Sequence, residues 1–272
     1  MYTAKKRPRH AFAFPVLCST VPQGVPSNAK SAASQIRQSV RTALISGHRR
    51  VCVDVLLAAV DPRARLFDED AAEVVFNALV QSVQPVLPES TELVQVVVPG
   101  SAAALRAQKW LARSELKGVV VDVIGAEEHR DASSVLVIDP PTESGVLEFR
   151  RFLREAHARG AQVVVHNHPR DDSLYKLLGF GGYLPFEMMR YESAFMLAPF
   201  TLQATEGGSN CRFVIMRRFP SAWQLWRHLG EERSFLQEDG STFDTGSYKL
   251  CQEFKDQPGG DELIQAITNV LG

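Results

Sequence analysis

The chain of 272 residues lacks several features that would place it in a large protein class. No uninterrupted apolar stretch approaches the roughly 18 residues of a membrane-spanning helix, which argues against an integral membrane protein. Only four cysteines are present and none forms a Cys-x-x-Cys pair, which argues against a disulfide scaffold and a zinc knuckle. The motifs G-x-x-x-x-G-K-[ST] and G-x-S-x-G are also missing, so neither P-loop nor α/β-hydrolase chemistry is supported.

Acidic residues are absent from the first 53 positions, a stretch that holds nine Lys or Arg, although the net charge of the chain is −1. A basic, acid-free head with Ser and Ala has the composition of an organelle transit peptide, which fits residues 1–25 best. A flexible basic tail is the alternative. Residues 231–272 show the opposite bias, with nine acidic residues against three basic ones. The head has almost no aromatic residues between its charges, so we predict no nucleic-acid partner.

Between these segments, apolar strand-like runs alternate with helices, which is typical of β-α-β units and a parallel sheet. The runs are continuous in Val and Ile, which favours a sheet covered on both faces. We therefore predict a three-layer, Rossmann-like α/β domain over residues 26–230, with a mainly parallel sheet. Residues 194–204 and 211–220 predict an antiparallel C-terminal hairpin, and residues 221–230 predict a short closing helix.

The C-terminal segment combines an acidic stretch with a last amphipathic helix. Residues 231–258 are predicted to form a loop or extended arm, and 261–272 a helix that docks either on its own domain or on a partner. In the predicted closing helix, two Trp residues three positions apart share a face and either pack in the core or form a partner surface. The candidate partner-binding residues are Trp223, Trp226, Leu263, Ile264 and Ile267.

Ligands of open α/β sheets bind beyond the carboxyl ends of the strands, where Ser101, Asp139, Asn167 and His168 are the candidates. Ser101 caps a predicted helix over 101–112, whose free N–H groups suit an anion. Asp139 is a carboxylate whose alternative role is to cap the next turn. The His166-x-His168 pair before two acids resembles the start of a binuclear metallohydrolase site, but the remaining ligands are missing. We therefore predict no metal site and no cofactor.

An ordered series of short motifs resembles the plant and cyanobacterial family catalogued as domain of unknown function 1995, from about Pro26 to Trp226. Two positions depart from its pattern: Gly100 stands where the family usually has an acid, and His168 intrudes between Asn167 and Pro169. The residues that carry the resemblance are Pro26, Ser27, Gln35, Ala43, Leu44, Gly47, Arg49, Arg50, Asp54, Pro99, Trp110, Asp139, Pro140, Glu143, Asn167, Pro169, Leu197, Ala198, Pro199, Gly207, Arg217, Arg218, Phe219, Pro220 and Trp223.

The resemblance implies a plastid protein of photosynthetic organisms. One branch of the family is a low-photosystem-II-accumulation type of assembly factor. In another branch the domain follows a chloroplast adenylate kinase, whose P-loop domain is missing here. The family supplies no catalytic residues to transfer. We expect a non-enzymatic chloroplast protein, in the stroma or at the stromal face of the thylakoid, that binds photosystem or antenna subunits. It would act as an assembly factor or as a peripheral stabilising or linker subunit. The alternative is a small-molecule or nucleotide-binding α/β enzyme that uses the strand ends.

Overall fold

A computed structural model describes residues 24–26, 28–55, 69–84, 93–126, 128, 131–141, 145–167, 190–202, 211–229 and 248–271. The helices are α1 (Ala29–Ile45), α2 (Glu69–Val83), α3 (Ser101–Arg113), α4 (Val146–Ala158) and α5 (Gly260–Leu271). The strands are β1 (Arg50–Val55), β2 (Val94–Val98), β3 (Val119–Val123), β4 (Ser134–Ile138), β5 (Gln162–His166), β6 (Glu192–Leu202), β7 (Cys211–Arg218), β8 (Trp223–His228) and β9 (Tyr248–Phe254).

The strands form one sheet in the spatial order β3-β2-β4-β5-β1-β6-β7-β8-β9. The five pairings from β3 to β6 are parallel, and the three from β6 to β9 are antiparallel. The predicted α/β class, with a mainly parallel sheet and an antiparallel C-terminal end, is confirmed.

Helices cover both faces of the sheet because the strands carry buried side chains on both faces. All five residues of β2 are buried, so alternate side chains enter different cores. Val96 packs with α1, α2 and α3, whereas its neighbour Val97 packs with α4 on the opposite face. The helix α5 covers the antiparallel strands on the α4 side, in a core that includes Trp223 and Phe254.

Two of the predicted helix caps are wrong by one residue. The N-cap of α1 is Asn28, whose side chain accepts a hydrogen bond of 2.8 Å from the N–H of Ser31, and not Ser27. The N-cap of α3 is Gly100, so Ser101 is the first helical residue and not the cap. The predicted end of α1 at Gly47 is confirmed, since its φ of +93° is a conformation that favours glycine.

The predicted closing helix over 221–230 is wrong, because this segment contains strand β8. Trp223 and Leu225 face the α5 core, whereas Gln224 and Trp226 face the other way, which is the period of two of a strand. Hydrogen bonding to β7 on one side and β9 on the other stabilises this strand. The two Trp residues therefore lie on opposite faces of the sheet and do not share one.

The expectation of a loop or extended arm over 231–258 is wrong for Tyr248–Phe254, which forms the edge strand β9. The sheet therefore continues beyond residue 230, the predicted end of the domain. The terminal amphipathic helix is confirmed as α5, and it docks on its own domain through Leu263, Ala266 and Ile267. Residues 1–23 of the predicted transit-like head over 1–25, residues 230–247 and His168 lie outside the described residues.

Candidate functional site

The connections that follow β2 and β4 run in opposite directions at the carboxyl end of the sheet. These two strands are neighbours, but α3 leads from β2 outward to β3, whereas α4 leads from β4 in the other direction to β5. The two helices also lie on opposite faces of the sheet. Ligands of open α/β folds bind at such a reversal of strand order. The topology thus indicates a candidate site beyond the ends of β2 and β4.

An acidic and an imidazole side chain meet at this edge. Ile138 of β4 pairs with His166 of β5, so Asp139 follows directly beside the end of β5. Oδ1 of Asp139 lies 3.5 Å from Nδ1 of His166, which forms an ion pair when the imidazole is protonated. The side chain of Asp139 is 60% exposed, whereas that of His166 is buried. A solvent-facing carboxylate thus lies in front of a buried imidazole.

The pKa of Asp139 is lowered from its ordinary value. Desolvation of this carboxyl by the surrounding protein is the largest single effect and raises the pKa, but four effects of neighbouring residues together outweigh it, beginning with the hydrogen bond and the charge of His166. The other two effects are a hydrogen bond from Asn167 and the positive charge of Arg106, on α3. The carboxylate of Asp139 is therefore held ionised by residues from β5, the turn after β5 and α3.

Asn167 connects the end of β5 to β1. Its backbone N–H donates to the carbonyl of Val53 over 2.8 Å, and its side-chain Oδ1 accepts from the N–H of Val55 over 2.9 Å. Asn167 has a φ of +52° and Asp139 a φ of +46°, a left-handed conformation that costs free energy for residues other than glycine. Two adjacent strand ends thus hold polar residues in the same unusual backbone conformation.

Of the candidate ligand-binding residues, the structure brings Asp139 and Asn167 together and places Ser101 on the neighbouring strand-to-helix turn. Ser101 is exposed in the first turn of α3. His166 is the imidazole that faces Asp139, although the sequence pattern named it only as half of a metal-binding pair and gave His168, which lies outside the described residues, as the candidate ligand-binding residue. The period of two gave the signal: His166 lies two residues after the core residue Val164, at the last position of a buried strand.

The predicted partner-binding residues fall into two groups. Trp223, Leu263 and Ile267 are buried in the core between α5 and the antiparallel strands. Trp226 is partly buried on the opposite face of the sheet, and Ile264 is 53% exposed on the outer side of α5. Of the five, Ile264 offers the most accessible apolar side chain.

The described part of the chain contains no cluster of three metal-ligating side chains. Among the same residues, no helix is long and apolar enough to cross a membrane.

Comparison with known proteins identifies one family. The model of the family described as "Domain of unknown function (DUF1995)" matches residues 26–265, which include both ends of the sheet and the first half of α5. No curated protein matches the chain.

Proposed function

Because the chain belongs to the DUF1995 family, we propose that it is a non-enzymatic plastid protein that binds subunits of photosynthetic membrane complexes. It acts in the stroma or at the stromal face of the thylakoid, as an assembly factor or a peripheral stabilising or linker subunit. The acid-free head, with nine basic residues in the first 53, supports plastid import.

The observation that carries this proposal is the outer surface of α5. Ile264 and Leu271, seven residues apart and therefore on one side of the helix, are 53% and 47% exposed. Leu229, the residue that follows β8, is exposed as well, and the guanidinium of Arg227 on that strand donates to the carbonyl of Val270 on α5. We call the exposed side chains of Ile264, Leu271 and Leu229 the apolar strip. Next to the charge of Arg227, such a strip suits the edge of a protein interface.

The first experiment is affinity isolation of the tagged protein from mildly solubilised photosynthetic membranes, with mass spectrometry of the recovered proteins. Recovery of photosystem or antenna subunits is expected. Ile264→Asp should reduce that recovery severalfold, because it places a charge in the apolar strip. The matched control is Gln265→Asp, an exposed neighbour on the same helix. Recovery of the tagged protein alone, or equal effects of both variants, would contradict the proposal.

A second candidate function, a small-molecule or nucleotide-binding enzyme, is favoured by one specific observation. Among the described residues, Nε2 of the buried His166 has no hydrogen-bond partner, and this imidazole lies behind the ionised carboxylate of Asp139. A buried polar atom without a partner is costly unless a ligand or another group meets it. A thermal-shift screen of nucleotides and small anions tests this candidate: a compound that stabilises the wild type but not Asp139→Asn would favour it.

A further inference from the structure

A polar cleft lies on the opposite side of the antiparallel strands from α5. It occupies about 540 Å³ between α1 and the strands β7, β8 and β9. That size falls within the range of ligand sites, about 300–1,000 Å³. Six residues define its chemistry: Gln35, Ser39, Arg218, Gln224, Trp226 and Glu253.

Two of the polar side chains that line this cleft are buried on α1, at positions where a helix and a sheet normally pack apolar groups. Gln35 and Ser39, one turn apart on the inner side of α1, are only 1% and 4% exposed. Nε2 of Gln35 donates to the carbonyl of Gly24 over 3.3 Å. Burial of polar groups costs free energy unless hydrogen bonds satisfy them, so these side chains are held in defined positions.

The facing wall, on β8 and β9, is organised by a short chain of hydrogen bonds. The indole N–H of Trp226 donates to Oε1 of Gln224 over 3.3 Å, and Nε2 of Gln224 donates to Oε1 of Glu253 over 2.8 Å. Trp226 and the partly exposed Leu250, which pair across β8 and β9, add apolar surface. The cleft therefore combines oriented amide groups with an aromatic and an aliphatic contact.

Charge in the cleft is limited and separated. Of the described residues that line it, Arg218 is the sole cation and Glu253 the sole carboxylate. They belong to β7 and β9, so two strand spacings, about 10 Å, lie between their strands. Burial lowers the pKa of Arg218, because its charge is incompletely hydrated. A phosphate-rich ligand fits poorly, since one cation faces it and a carboxylate repels it.

We propose that this cleft binds the carboxyl-terminal end of a peptide chain. The planar guanidinium of Arg218 matches a carboxylate with two parallel hydrogen bonds. The amide and hydroxyl groups of Gln35, Ser39 and Gln224 offer both donors and acceptors to the backbone of the preceding residues. An extended chain advances by about 3.3 Å per residue, so three or four residues span the roughly 10 Å between β7 and β9. This inference extends the proposed function, because it names the part of a protein partner that is recognised.

The test uses the full chain labelled with ¹⁵N and two libraries of acetylated tetrapeptides, with all twenty amino acids at the last position. One library has free carboxyl termini and the other has carboxamide termini. The readout is the indole N–H resonance of Trp226, assigned with Trp226→Phe. The free-acid library should shift this resonance at millimolar total peptide, and the amide library should bind at least tenfold more weakly. No shift, or equal shifts with both libraries, overturns the inference, and neither comparison needs a destabilised variant.

The variant Arg218→Gln should weaken binding of the free-acid library at least tenfold. Its matched control is Arg212→Gln, on the same strand but outside the cleft lining, which should leave binding unchanged. Equal effects of the two variants would overturn the role of Arg218.

The peptide test and the isolation of membrane subunits fail independently: subunits recovered without peptide binding would retain the proposed function and reject the cleft. Peptide binding without recovered subunits would identify free peptides as the source of the carboxylate.

Discussion

The replacement Leu263→Ala tests most directly whether α5 is part of the folded domain. Leu263 is fully buried in the core that α5 shares with Trp223 and Phe254. Truncation of a buried leucine costs about 2–5 kcal/mol, the sum of lost burial and the cavity left behind. Because α5 packs on the sheet through one side only and can settle partly into the gap, we expect about 3 kcal/mol less free energy of unfolding.

The neighbouring replacement Ile264→Ala is the matched control. Ile264 points outward and is 53% exposed. Exposed substitutions change the free energy of unfolding by about 0.5 kcal/mol or less, and the higher helix propensity of alanine offsets part of any loss. Two adjacent aliphatic residues on one helix should therefore differ by about 2–3 kcal/mol.

Urea unfolding followed by tryptophan fluorescence and far-ultraviolet circular dichroism measures this difference. With a slope of about 2–3 kcal/mol/M, Leu263→Ala should lower the midpoint by about 1 M, whereas Ile264→Ala leaves it nearly unchanged. Equal shifts for the two variants would refute the packing of α5 described above. Amide hydrogen exchange then shows whether the loss is confined to α5 or spreads to β7, β8 and β9.

Three further predictions concern the parallel half of the sheet. Since the folded-state pKa of Asp139 is lowered, its contribution to stability is present above the unfolded pKa of about 3.9 and is lost as the pH falls through the folded value. Urea midpoints measured between pH 7 and pH 3 should therefore depend slightly less on pH for Asp139→Asn than for the wild type. An unchanged pH profile would contradict this prediction. Asn167→Ala removes the acceptor of the Val55 N–H and keeps a left-handed backbone, so thermal unfolding should show a free energy of unfolding that is lower by about 1–3 kcal/mol. Asn167→Gly should lower it less, because glycine tolerates that backbone. Gln95→Leu removes the 2.7 Å hydrogen bond to the buried carboxylate of Asp122 and should lower the free energy of unfolding in urea by about 2–3 kcal/mol. The double variant with Asp122→Leu should recover part of that loss, because no buried carboxylate is then left without this partner. No recovery would show that the lost hydrogen bond is not the cause.

The parallel half of the fold was predictable because its signals are local. Val-rich strands such as Val94–Val98 are separated by helices with regular apolar spacing, and this pattern specifies β-α-β units without reference to distant residues. The meeting of Asp139 and Asn167 at one edge follows from the same rule, since parallel strands share their carboxyl ends. The left-handed backbone at both positions has no counterpart in the sequence pattern.

The antiparallel half was predicted less well because its structure depends on pairing across long sequence distances. In isolation, residues 223–228 have two Trp residues at a spacing that suits a helix as well as a strand. Pairing of Trp226 with Leu250, on a strand that follows residues 230–247, decides in favour of the strand. The polar cleft was missed for the same reason, because Gln35 and Arg218 meet only after α1 has packed beside β7.

The cleft and the apolar strip lie on opposite sides of the strands β7, β8 and β9, and β9 is the edge strand between them. One partner that contacts both surfaces must therefore pass around the border of the sheet, where β9 is the edge strand of the described residues. In that case Arg218→Gln and Ile264→Asp both weaken the same complex, and their free-energy losses add, because the two side chains share no contacts. Two separate partners would instead respond to one variant each. Quantitative recovery of every co-isolated protein with the two single variants and the double variant distinguishes these arrangements, and a partner lost from both single variants identifies the chain that passes across the sheet edge.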